Sequence, residues 1–243
     1  MKPFCTEHII FLIVVVIFLV ATMKAISKMS KRWQNVMFII GATICAGGIF
    51  FRYGLGLRLD GTFTFGTLLK EMLQVCNFNL ILVILMLIPR FELARQYSIF
   101  FSMFAASTTL ISLSSSWVNL PWYHIDVMNS LINHVFAIAL PLWMLASRRL
   151  KPRKEYVWKV TICVVLYFTL VAIIVTILMN VGVITDPVPH YSFIYDTYGI
   201  GIFDFLYSLI PLPFLYLVPI MPFMVLFFFF LAWAFNSYKV KDF

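Results

Sequence analysis

The chain has 243 residues, of which 63% are hydrophobic and only 12% charged, with a mean hydropathy of +0.98. A soluble domain of this length carries roughly twice that charge. The composition therefore excludes a soluble enzyme and predicts an all-α, polytopic integral membrane protein, one transmembrane domain over 1–243. The net charge of +8 belongs to the loops, so nucleic acid is not an expected partner. Cys5, Cys45, Cys76 and Cys163 show no CxxC spacing, and neither a metal, a cofactor nor a disulfide framework is expected from them.

Seven apolar stretches reach the ~20 residues that cross a bilayer, near 8–27, 34–53, 68–88, 96–117, 125–147, 157–180 and 212–236. The first is rich in Ile, Val, Leu and Phe and reads as a lipid-facing anchor. It is too long for a cleaved leader and lacks a small-residue cleavage site. The second contains Gly41, Ala42, Ala46, Gly47 and Gly48, small residues that let a neighbouring helix approach closely.

The third, LLKEMLQVCNFNLILVILMLI, is the stretch around which the chain is expected to be organised. It is apolar enough to span, yet its outer half carries Glu71, Gln74, Cys76, Asn77 and Asn79. Such groups cost roughly 1–3 kcal/mol apiece in hydrocarbon unless they face partners or a cavity. The stretch is read as the wall of a buried site. The fourth span ends in Ser112, Ser114, Ser115, Ser116 and Trp117, and the fifth carries Asn129, Asn133 and His134. Segment 181–211 has no Lys or Arg but holds Asp186, His190, Asp196, Asp204 and a run of tyrosines from Tyr191. It is expected to lie in the interface as a lid or re-entrant piece. Pro211, Pro213, Pro219 and Pro222 predict a broken or kinked start to the seventh span.

Fourteen of the 18 basic residues fall on one side of these spans, in the first, third and fifth loops and the tail. The other side keeps Lys2, Arg52, Arg58 and Lys70, with seven of the ten acids. By the positive-inside rule the N-terminus is outside and the C-terminus cytoplasmic, in a multi-pass protein of the plasma membrane.

Cys76 and His134 each lie about nine residues from the outer end of their spans, roughly 13 Å deep at 1.5 Å per residue. Equal depth is what a Cys–His pair requires. A cysteine attacks as thiolate, and a histidine that takes its proton is the natural partner. Asn79, Asn129 and Asn133 supply amides to orient the ring, bind substrate or stabilise an oxyanion. Glu71 pairs with Arg52, Arg58 or Lys70, or gates entry. His124 and Asp126 sit at the outer edge and read as interfacial, and Cys45 and Cys163 as small apolar side chains.

Three features recur together: Leu-Gln-Val-Cys76-Asn-Phe in the third span, Asn133-His134 followed by Ala-Leu-Pro141-Leu-Trp in the fifth, and an outer segment with Tyr191 leading through Pro211 into the last. This pattern resembles the YwaF-like bacterial integral membrane proteins, relatives of the transmembrane protein 164 family of animals. The resemblance covers nearly the whole chain. It implies acyl transfer on a membrane lipid, with Cys76 as acyl-accepting nucleophile and His134 as base. Similar membrane hydrolases of hydroxy-fatty-acid esters use a threonine and a histidine. The lead into the cysteine departs from the pattern, with Met72-Leu73-Gln74 where relatives show Pro-Leu-His/Glu. A second class stays open, a small transporter or solute-binding membrane subunit with an amide-lined cavity. A Phe-rich scaffold leaves the Asn/His cluster unexplained.

Overall fold

The computed structural model describes residues 4–50, 73–112, 120–184, 194, 197 and 199–237, the side chains of Ile49, Phe50 and Asp126 excepted. Glu71 and Tyr191 lie outside the described residues, as does most of the expected lid. Among the described residues every regular element is helical. Hydrocarbon demands this, because a helix satisfies its backbone N–H and C=O groups within its own segment.

The elements are α1 (Thr6–Lys28), α2 (Lys31–Phe50), α3 (Val75–Leu85), α4 (Glu92–Tyr97), α5 (Met103–Ser112), α6 (Ile125–Ala146), α7 (Val157–Asn180), α8 (Gly201–Leu209) and α9 (Met221–Ala234). One π-helical turn, Ser98–Ser102, joins α4 to α5 in a continuous rod. By length and composition, four segments are able to cross a membrane: Thr6–Lys28, Val127–Ala146, Lys154–Asn180 and Leu215–Ala234.

The bundle is arranged around α6 and not around the third span. Helix α6 packs against α1, α2, α3 and α5, and 72% of its apolar window is buried, against 11% for α1. It is also the least apolar of the four spanning helices. Lipid tails are as apolar as leucine, so they take the greasiest helices, and the helix carrying Asn129, Asn133 and His134 goes inside. Exposed Ile9, Ile10, Ile13, Val14, Val16 and Ile17 give α1 the lipid-facing surface expected of it. Its one buried polar group is His8. His8 Nε2 donates to Leu110 O at 2.8 Å, and its Nδ1 accepts the Phe4 N–H at 2.9 Å. Trp143 Nε1 donates to Thr22 Oγ1 at 2.9 Å, tying α6 to α1.

Close approach of α2 to α6 occurs at Gly41 and Gly48, seven residues apart and so on one face. A Cβ on Gly41 would meet Leu140 Cδ2 at 2.8 Å, whereas one on Gly47 would meet nothing within 4 Å. Of the three glycines singled out in the sequence, small size matters at Gly41 and Gly48 and not at Gly47.

Three expected boundaries change. Leu73 and Gln74 are not helical, Gln74 caps α3 in an extended conformation, and the helix runs only to Leu85. The polar residues at its head favour a turn over a continuous helix from 68 to 88. The fourth span begins at Glu92 and not at 96. The seventh is broken as its prolines predict. A 3-10 turn, Leu215–Ile220, contains Pro219, and α9 starts beyond it with Pro222 in its first turn, where a missing N–H costs little.

One end of the bundle gathers the basic loops. Arg95 Nη1 pairs with Glu92 Oε2 at 3.1 Å, and its Nη2 donates to Arg149 O. Gln96 Nε2 donates to Glu92 Oε1 and to Lys151 O, each at 2.8 Å, while Gln96 Oε1 accepts the Arg153 N–H at 3.0 Å. Arg149 Nη1 donates to Asn35 Oδ1. The α1–α2 corner, the head of α4 and the α6–α7 loop therefore meet at this end.

Candidate functional site

His134 lies nine residues into α6 and is buried. Its Nδ1 is 2.7 Å from Ser130 O, one turn back, with Ser130 Oγ at 3.5 Å. A carbonyl oxygen only accepts, so Nδ1 carries the proton and donates. In the neutral ring Nε2 then holds the basic lone pair. Helical spacing produces this clamp, since residues four apart stack on one face.

Cys76 is the second residue of α3 and half-buried. The depth count that matched it to His134 assumed a helix beginning near 68, and it fails with that helix. Two other features bear on the pair. Helix α3 packs against α6, and Cys76 occupies a first helical turn, whose partial positive charge stabilises an anion formed there. The head of α3 is fixed by aromatic residues. Tyr167 OH donates to Leu73 O at 2.7 Å, and Phe78 stacks on Tyr167 at 4.6 Å and meets Tyr97 edge-on at 6.0 Å.

The amides divide. Asn129 and Asn133 come together against Gly48 of α2. Asn129 Nδ2 donates to Gly48 O at 3.3 Å, and a Cβ on Gly48 would lie 2.4 Å from Asn133 Oδ1. Asn79 is three residues from Cys76, about 60° round the helix, and is 3% exposed. Asn79 Oδ1 and Asn133 Oδ1 are buried without a hydrogen-bond partner among the described residues. An orphaned buried acceptor costs roughly 1–3 kcal/mol, which a hydroxyl-bearing ligand would recover.

Sequence reasoning missed Tyr97, Ser98 and Ser102. All three are buried, and their hydroxyls have no partner among the described residues. Ser98 and Ser102 bound the π turn, a feature that occurs frequently at functional sites. The apolar pattern of the fourth span carries no sign of it. Among the described residues no cluster of three or more His, Cys, Asp or Glu has the arrangement to hold a metal.

Fold and site together define an all-helical membrane protein with a polar interior around one central helix. The chain matches the TMEM164 family over residues 3–233 and belongs to that family. No curated protein and no solved structure matches it.

Proposed function

We propose that this protein is a membrane-embedded lipid acyltransferase or lipid ester hydrolase in which Cys76 is the nucleophile and His134 the base, on the YwaF-like bacterial branch of its family. The observation that carries the reading is the Ser130 carbonyl holding Nδ1–H of His134, which leaves Nε2 as the proton acceptor. His134 takes the proton from Cys76 Sγ, and the thiolate attacks the ester carbonyl of a membrane lipid. The tetrahedral intermediate collapses to a thioester as His134 returns the proton to the departing alkoxide. A second hydroxyl, from an acceptor lipid or water, then loses its proton to His134 and attacks the thioester, releasing the acyl group and the thiol. Asn79 and Asn133 contact the oxyanion or the incoming hydroxyl. Asn129 positions α2, and Glu71 and Tyr191 contribute to substrate binding. No metal or organic cofactor takes part. The chain spans the plasma membrane seven times, with its N-terminus outside and the reacting groups nearer the outer leaflet.

Intact-mass analysis of purified protein incubated with phospholipid is the test. An acyl adduct on Cys76, released by hydroxylamine, is expected. It should vanish in Cys76→Ala and fall at least ~100-fold in formation rate in His134→Ala, with the double variant no worse than Cys76→Ala alone. Cys163→Ala should behave as wild type. An adduct that persists in Cys76→Ala overturns the assignment. The orphaned amide oxygens of Asn79 and Asn133 favour one second reading, a solute-binding membrane subunit, for which the same experiment returns unmodified protein with a non-covalent solute.

A further inference from the structure

At the basic end of the bundle, the α1–α2 corner, the turn after α3 and the end of α6 enclose a cavity of about 930 Å³. Its lining changes character along α2. Lys31, Gln34 and Asn35 come first, and Phe38 and Ile39 lie one turn deeper on the same face. Arg148 and Arg149 complete the rim from the end of α6, while Leu87 and Met144 add apolar surface. The described lining holds three cationic side chains and no carboxylate. A cationic rim above an apolar wall has the amphipathic profile of a lipid headgroup with its upper chain.

The rim is built, and part of it is strained. Arg149 is 9% exposed, donates to Asn35 Oδ1 and to Lys31 O, and lies over the Phe38 ring at 5.2 Å. Burial pulls its pKa below the ordinary guanidinium range, a desolvation that a bound anion would offset. Arg148 adopts φ +61°, the left-handed conformation at which a helix ends on glycine by preference. The turn is closed by Arg149 N–H to Met144 O and Arg148 N–H to Leu145 O, both at 2.9 Å, so these terminal carbonyls already have partners and are masked from an incoming anion. The N-terminus of α2 adds its positive end to the same rim.

We propose that this cavity binds the phosphate-ester headgroup of an anionic amphiphile from the adjoining leaflet, with Lys31 and Arg148 gripping the phosphate and Arg149 forming a fixed floor. The site is separate from Cys76 and His134. Met144 is ten residues beyond His134, about 15 Å along α6, too far for the esters next to a seated phosphate to reach the imidazole. The same phosphate chemistry is also offered by soluble phosphorylated metabolites, and the apolar wall favours the lipid.

Calorimetric titration of the purified full-length protein with dioctanoyl phosphatidate decides the matter. Saturable binding of one equivalent is expected, with dioctanoylglycerol failing to compete and glycerol 3-phosphate binding at least tenfold more weakly. Lys31→Gln and Arg148→Gly should each weaken binding about tenfold or more. Glycine relieves the left-handed strain, so Arg148→Gly should hold or raise Tm while affinity falls, a split that a merely structural arginine would not produce. Unaltered affinity in both variants, or no saturable binding, overturns the site. Equal affinity for glycerol 3-phosphate overturns the lipid and leaves a soluble phosphate ester as occupant. Cys76→Ala should bind as wild type, so this result and that of the acyl-transfer chemistry stand or fall separately.

Discussion

An added Cβ on Gly48 would come within 2.4 Å of Asn133 Oδ1 and 2.8 Å of Asn129 Oδ1, whereas its neighbour Gly47 faces open space. Two substitutions that look alike in sequence should therefore act in opposite directions. Gly47→Ala gains helix propensity on an exposed face and should stabilise by up to about 1 kcal/mol. Gly48→Ala must displace both amides and should destabilise by about 1–3 kcal/mol, read as a fall in Tm in detergent beside a small rise for Gly47→Ala. At this scale the sequence names chemical types well and partners poorly. Asn129, Asn133 and His134 stand out because amides and imidazoles are costly in lipid. That the asparagines lean on Gly48 while His134 turns to Ser130 follows from helix phase and from a contact made far along the chain.

The rod formed by α4, the π turn and α5 shows the same division between elements. Its head is anchored by Gln96, which is fully buried and bridges Glu92, Lys151 O and Arg153 N. Gln96→Leu keeps the volume but strands a carbonyl, an amide N–H and part of a carboxylate. It should cost about 2–3 kcal/mol, measurable as a lower Tm and as faster proteolysis of the α6–α7 loop. Apolar length predicted a helix here, and hydropathy had no means of showing the π turn or the earlier start at Glu92. The third span is the sharper lesson. Hydropathy ran it unbroken from 68, yet Gln74 is extended and closes the helix from behind. The depth of Cys76 inferred from an unbroken helix went with it, and the packing of α3 on α6 took its place.

For the whole molecule, the proposed orientation rests on the split of 14 basic residues against 4, and several of the 14 converge at one end of the bundle through the Arg95, Gln96 and Arg149 contacts. In intact cells, on a Cys5→Ser background, Arg153→Cys should resist an impermeant thiol reagent and Asp196→Cys should react. The reverse pattern would invert the molecule and move the basic cavity to the outer leaflet. The sequence by itself determined the class: a chain so apolar, with most of its charges between the apolar stretches, belongs in lipid, where an unbroken apolar stretch of about 20 residues crosses as a helix. It also marked which residue types are too polar for hydrocarbon. Only the tertiary structure decided that α6 sits at the centre, which glycines are contacts, where α3 begins, and that Lys31, Arg148 and Arg149 share one cavity. The physical reason is that hydropathy reports transfer into lipid, a property of each segment alone. Helix packing in a membrane depends instead on shape and on hydrogen bonds between segments distant in the chain, and no single stretch encodes these.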